Sequence, residues 1–351
     1  MTSNKPFEPS CPLPISTQKT VQLAHGGGGR LMQELIHDVF VRAFHNPMLE
    51  VLHDGATWPV EKGTLAFTTD SYVVRPLFFP GGDIGSLAVN GTINDLAMCG
   101  AKPLYLSAGF ILEEGLSMEV LQRVVYSMAE AARAAGVPIV TGDTKVVDRG
   151  KGDGIFINTS GVGLVPNGVR VLPTLIQTGD AILVSGGLGA HGVAVLSVRE
   201  GLTFNGNIES DSAPLHHVVA DLIDNGVEIH CLRDLTRGGL ASVLNELATA
   251  AKVGVTVDEA AIPVSEPVRG ACELLGLDPL YVANEGRFVA MVPASQAEAA
   301  LVVMRRHKAS SQAASIGTVM DRSTPPVVLR TVLGTQRILD LLSGEQLPRI
   351  C

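Results

Sequence analysis

Hydrophobic positions along the 351 residues fall into two periods. Over 118–135, Leu121, Val124, Val125, Met128, Ala132 and Ala135 recur at three- and four-residue steps, which predicts one buried helix face. Ser117 can cap that helix, Gly136 can end it, and Pro138 forbids its continuation. Similar spacing predicts helices over 86–98, 193–200, 214–224, 237–251, 266–275, 295–307 and 335–342. An amphipathic helix is expected after Arg30, with Leu31, Leu35, Ile36 and Val39 on one face. Short apolar runs bounded by turn residues predict strands at 64–70, 104–112, 137–143, 155–163, 181–185, 287–292, 315–320 and 326–332. Pro166, Asn167, Gly168, Pro173 and Gly179 mark a boundary near 165–179. Strands and helices alternate on both sides of it, so the expected class is α/β, with layered domains over 21–165 and 175–342. Residues 1–20, with prolines at 6, 9, 12 and 14, read as a disordered arm, and 343–351 as a flexible tail.

Charge narrows the partners. With 26 Lys and Arg against 35 Asp and Glu, the net charge of −9 argues against nucleic acid, which needs a basic face. The five cysteines (11, 99, 231, 272, 351) form no Cys-x-x-Cys pair, and an odd count in a long chain reads as reduced thiols. Met1–Thr20 lacks the apolar core of a signal peptide. No run of 18 apolar residues could span a membrane, so a soluble cytoplasmic protein is expected.

Candidate chemistry begins at Cys351, whose thiol lies beside the carboxylate of the last residue. Nine extended residues from Ser343 reach about 30 Å, enough to present that thiol outside and withdraw it into a cleft. Nearby carboxylates would raise its pKa and Arg349 would offset them. Gly26, Gly27, Gly28 and Gly29 form either a hinge or a backbone that wraps phosphates. Gly187-Leu-Gly-Ala-His-Gly192 matches a dinucleotide fingerprint, but no acidic residue ends a following strand; it reads as a tight turn packing helix on strand. No phosphate-binding G-x-x-x-x-G-K-[S/T] loop occurs. Asp70, Asp83, Asp95, Asp143 and Asp234 each end an apolar stretch beside Thr, Gly or Asn. Singly each could be a cap; together they suggest an oxygen-ligand site for Mg²⁺ and a polyphosphate. Arg233 and Arg237 flank Asp234, Asn90 and Asn94 accompany Asp95, and Lys145 follows Asp143-Thr144 at an expected strand end. Glu285 precedes a strand, as a turn residue or a general base. The histidines show no metal-ligand spacing.

Thr68-Thr69-Asp70, Gly82-Asp83-Ile84-Gly85, Asn90-Gly-Thr-Ile-Asn94-Asp95, Gly142-Asp143-Thr144 and Asp234-Leu-Thr-Arg-Gly-Gly239 together resemble the superfamily of aminoimidazole ribonucleotide synthetase, selenophosphate synthetase and thiamine-phosphate kinase. With Pro348-Arg349-Ile350-Cys351, the resemblance narrows to the HypE family of [NiFe] hydrogenase maturation factors, over about residues 20–351. It implies a homodimer pairing through N-terminal strands as a β-barrel-like interface, with ATP in the interdomain cleft. A HypF-type carbamoyltransferase would load the thiol. ATP-dependent dehydration would turn the S-carboxamide into a thiocyanate, and the cyano group would pass to a HypC–HypD complex. By motif, Asp70, Asp95 and Asp234 would hold Mg²⁺. Thr68, Thr69, Asp83, Asn90, Asn94, Gly142, Asp143, Thr144 and the glycine run would contact ATP. Lys145 and Glu285, with Glu246 as substitute, would handle the carboxamide. Alternatives are a selenophosphate synthetase-like enzyme, although Cys11 and Lys19 lack the spacing that enzyme uses, and a non-catalytic group carrier.

Overall fold

The computed structural model describes residues 29–35, 37, 56–60, 63–204, 206–322, 324–342, 347, 350 and 351. In chain order these give α1 (Arg30–Leu35), β1 (Ala56–Val60), β2 (Gly63–Tyr72), β3 (Phe78–Phe79), β4 (Gly82–Asp83), α2 (Ile84–Met98), β5 (Lys102–Glu113), α3 (Met118–Ala135), β6 (Ile139–Val147) and β7 (Ile155–Val165). Then follow β8 (Asp180–Val184), α4 (Ala190–Arg199), α5 (His216–Asp224), β9 (Cys231–Asp234), α6 (Gly239–Ala251), β10 (Gly254–Asp258), α7 (Glu266–Leu275), β11 (Phe288–Pro293), α8 (Ala297–Met304), β12 (Ala314–Met320), β13 (Val327–Arg330) and β14 (Gln336–Ile338). The arm at 1–20, Gly26, Gly27, Gly28, Cys11 and Arg349 lie outside the described residues.

The first sheet has the order β1-β2-β7-β5-β6. Its neighbours are antiparallel except β5 and β6, and a parallel pair needs a long crossover, which α3 supplies. Gly136 closes α3 in the left-handed region, at φ 70°. The second sheet runs β14-β13-β10-β12-β8-β11-β9. Every residue of β8 is buried. Ile182 and Val184 join the core with α6, while Ala181 and Leu183 join the core with α5 and α8. A strand covered on both faces reads as a continuous apolar run, as 181–184 does.

α2 is the axis of the molecule. All its residues except Ser86 and Asp95 are buried, so it is enclosed on every side instead of lying on a surface. Ile84, Leu87 and Ile93 pack into the first domain's core, whereas Ala97 and Met98 enter the core of the second sheet. Asp83 caps the helix: its carboxylate accepts from the Gly85 and Ser86 amides at 2.7 and 3.1 Å.

Two expectations fail. Residues 335–342 form no helix; 336–338 add a short exposed strand to β13, after a turn closed by Thr331 and Thr335. Only Leu339 of that stretch is buried, so the run of Ile338, Leu339, Leu341 and Leu342 mimics an apolar helix face without being one. The second concerns Asp143, Thr144 and Lys145. They sit within β6, which continues to Val147, and not at its end.

Candidate functional site

A cavity of about 240 Å³ opens where β2, α2, β9 and α6 converge. β2 contributes Thr69 and Asp70, and α2 contributes Gly91 and Asp95. β9 and the turn after it supply Arg233, Asp234, Thr236 and Arg237. Gln33 of α1, Glu246 of α6, Glu285 and Cys351 complete the polar lining. Asp95 is the one charged residue of α2, and the Thr68 hydroxyl donates to its Oδ2 at 2.8 Å. Gly91 is dictated by its neighbour: a Cβ there would stand 2.1 Å from the Tyr72 hydroxyl oxygen.

Glu285 is held from several directions. Its amide donates to Asp211 Oδ1 at 3.0 Å, and its carbonyl accepts from Asn94 Nδ2 at 3.2 Å. A Cβ on the following Gly286 would meet the Asp211 carbonyl at 1.9 Å, so the chain passes as close as glycine permits. The Glu285 side chain is buried and its Oε1 has no hydrogen-bond partner. Burial, with Asp234, Asp70 and Asp211 nearby, holds its carboxyl well above the usual range, against the opposing pull of Arg237.

Cys351 reaches the same place. Its carbonyl accepts from the Val73 amide at 3.1 Å, and Ile350 is buried beside it. Burial pushes the thiol far up; Arg237 pulls it down, while Glu285, Asp70 and Asp234 raise it again. Arg237 answers with a pKa raised chiefly by Cys351. Arg237 thus supplies a counter-charge to the thiol.

Of the residues anticipated from sequence, Thr69, Asp70, Asp95, Asp234, Glu285 and Cys351 meet at this cavity, with Thr68 behind Asp95. Glu246 also lines it, accepting from Gln33 at 3.1 Å. Others stand elsewhere. Lys145 pairs with Asp143 at 2.7 Å, both exposed on the edge strand β6. Three strand spacings of about 4.8 Å, some 14 Å in all, separate β6 from β2. Gly142 and Thr144 share that strand, and a Cβ on Gly142 would clash with the Ala108 carbonyl at 2.3 Å. Asp83 serves as a cap. Asn90 donates to Ser212 at 3.2 Å. Asn94 donates to the Ala213 and Glu285 carbonyls and accepts from the Leu215 amide at 2.8 Å, so it ties the two domains together. Gly29 begins α1, its carbonyl accepting from Gln33. Gln33, Tyr72 and Gly91 were not anticipated, because their roles are set by partners distant in sequence. Among the described residues no three His, Cys, Asp or Glu side chains stand close enough to hold a metal by themselves.

The chain is similar to known proteins along most of its length. Residues 52–165 match the AIR synthase related protein N-terminal domain, and 177–329 its C-terminal domain. The carbamoyl dehydratase HypE of Azotobacter vinelandii is 56% identical over 332 residues, covering 95% of this chain and 97% of the relative. A crystal structure of hydrogenase maturation protein HypE in complex with ATP shares 52% identity at a TM-score of 0.80, covering 95% of this chain and 100% of that one. The HypE–HypF complex gives 49% identity and a TM-score of 0.84, covering 88% and 99%. With family models over both domains and a relative 56% identical over 95% of this chain, the chain belongs to the HypE carbamoyl dehydratase family.

Proposed function

We propose that this chain is an ATP-dependent carbamoyl dehydratase that converts an S-carboxamide on Cys351 into a thiocyanate, the source of hydrogenase cyanide ligands. The observation that carries this reading is the position of Cys351 in one cavity with Asp70, Asp95, Asp234, Arg237 and Glu285. A relative bearing the dehydratase name and a relative solved with ATP support it.

The chemistry matches the residue types. A carboxamide oxygen leaves poorly; transfer of the ATP γ-phosphoryl group to it lets it depart as phosphate. The nitrogen then loses two protons as the C≡N bond completes. Glu285, which lines the cavity with Cys351, is placed to take one of them, and the departing phosphate carries the other. Arg237 balances negative charge beside the sulfur. Asp70, Asp95 and Asp234 would hold Mg²⁺, which supplies neutralisation of phosphate charge when bound. Water has to be kept from the activated group, which it would hydrolyse.

Lys145 does not line the cavity of its own chain. The outer face of the first sheet exposes Phe67, Tyr105 and Ile111, and this supports a homodimer pairing across it. Such pairing would bring Asp143, Thr144 and Lys145 of one protomer toward its partner and give them a route to the nucleotide. A HypF-type carbamoyltransferase loads the thiol in this reading, as a HypE–HypF complex supports. A HypC–HypD complex receives the cyano group in the cytoplasm.

The test uses peptide mass spectrometry. The chain is carbamoylated by a HypF-type enzyme with carbamoyl phosphate, repurified, and then given ATP. The expected result is a carbamoyl group on the 346–351 peptide, then loss of one water only after ATP is added. A Cys351→Ala chain that behaves like the parent, or a carbamoyl mass that never loses water, refutes the reading.

A further inference from the structure

The glycine turn 187–192, set aside above as a packing device, does more than join β8 to α4. Its fifth residue, His191, is fully buried, and neither of its ring nitrogens is idle. Nε2 lies 2.8 Å from the Ile350 carbonyl, and Nδ1 lies 2.8 Å from Ser210 Oγ. A carbonyl oxygen only accepts, so Nε2 carries the proton and Nδ1 accepts from the Ser210 hydroxyl. Ser210 Oγ is free to donate that proton because it takes its own acceptor bond from the Ser212 amide at 3.1 Å. The edge of the imidazole meets Phe79 in a perpendicular arrangement, centroids 5.3 Å apart, which fixes the ring plane. Burial keeps the ring's pKa below the ordinary histidine value, in accord with a neutral donor.

The surrounding surface is shaped for the same segment. Ile350 is 3% exposed and packs in the cluster that holds Phe79, Val195 and Ala283. Leu347 lies against Gly192, where a Cβ would come within 3.2 Å of its Cδ1 and 2.4 Å of Val282. Upstream, Asn245 fixes the Leu339 carbonyl at 2.7 Å and the Arg30 amide donates to the Leu342 carbonyl at 2.7 Å. Beyond those anchors, among the described residues, His191 and Val73 hold this end of the chain by polar bonds. The His191 bond is the side-chain one, and so the one a substitution can remove cleanly.

We propose that His191 is a positioning residue for the dehydration: its Nε2–H grips the Ile350 carbonyl and so keeps the Cys351 thiol within the carboxylate cavity. This rests on Cys351 being the reactive thiol. Ser210 fixes the donating tautomer. The 210–213 loop also carries Asp211, the acceptor for the Glu285 amide, so sulfur and base are set by one loop. The glycine turn is thus a receptor for the end of its own chain.

Thiol labelling tests this without any catalytic step. The full chain is pulsed with iodoacetamide, cleaved after Glu345, and read as the 346–351 peptide. His191→Ala is expected to label Cys351 about tenfold faster than the parent, the factor that 1.4 kcal/mol commands and within the range of a buried hydrogen bond. His191→Gln, whose amide can donate to the same carbonyl, recovers most of the protection. Ser210→Ala gives a smaller rise and carries the test if His191→Ala does not fold. Buried Cys231 and Cys272 stay at the parent rate throughout. On carbamoylated chain, His191→Ala lowers kcat for water loss and leaves the KM for ATP unchanged. An unaltered Cys351 rate in the folded variants overturns the proposal. So does Cys231 or Cys272 labelling in step with Cys351, or a His191→Gln chain no better protected than His191→Ala. Because labelling needs neither ATP nor a carbamoyl group, failure of the dehydratase reading leaves this result interpretable.

Discussion

Replacing Glu285 by Gln should make the chain more stable and nearly inactive. The carboxylate is buried, one of its oxygens has no partner, and Asp234, Asp70 and Asp211 surround it. A buried acceptor left unsatisfied costs about 1–3 kcal/mol, more when charged. A glutamine amide keeps the shape, removes the charge and offers N–H groups to those carboxylates. The expected gain at pH 8 is therefore about 1–3 kcal/mol, a Tm rise of about 2–4 °C per kcal/mol for domains of this size. The pH dependence follows from linkage. The folded carboxyl titrates above its unfolded value of about 4.3, so the parent loses stability as pH rises from there through the folded pKa. Below that window the acid is protonated in both states and the advantage of Gln shrinks. Thermal denaturation at pH 5 and pH 8, beside the ATP-dependent water-loss assay, measures both sides. Loss of a general base should slow water loss by about 10²–10⁴. A Glu285→Gln chain no more stable than the parent at pH 8, a gap that does not narrow toward pH 5, or full activity would refute the reasoning.

Gly91→Ala should cost about 1–3 kcal/mol by overpacking against Tyr72, and adding Tyr72→Phe should restore much of it, a non-additivity that urea titration of both chains would reveal. Asn94→Ala strands the Leu215 amide and unties the Ala213 and Glu285 carbonyls, so about 2–4 kcal/mol of stability should go, visible as a lower denaturation midpoint. Asp95→Asn can still accept from Thr68, so the fold should persist while ATP affinity in the presence of Mg²⁺, measured by calorimetry, weakens at least about tenfold.

What the sequence disclosed tracked how local each signal was. α3 spans Met118–Ala135 as its spacing foretold, because periodicity, a terminal glycine and a following proline all lie within the segment. The carboxylates at Asp70, Asp95 and Asp234 were legible only as a set, since each alone reads as a cap, which Asp83 is; those three do meet at one cavity. The false helix at 335–342 arose because a leucine-rich stretch looks alike whether it covers a core or adds to a sheet edge. Lys145 was placed by adjacency to Asp143, and the two do share a face of β6 and pair there, but the order of strands that puts β6 at the edge, away from the cavity, is a tertiary fact. His191 offered only a histidine inside a glycine turn. Its meaning depends on Ile350, far along the chain, and no periodicity reports such a pairing.

The burial of α2 has a mechanical consequence. Enzymes that close around a substrate need a seam that parts, yet here one rod is embedded in the cores of both lobes, and Asn90 and Asn94 rivet it to the loop at 212–215. A body pinned through its middle has no jaws. Under the proposed function, cargo would have to be delivered by the strand of peptide that bears it, like a shuttle entering a fixed loom, and turnover would follow how readily that peptide docks and lets go.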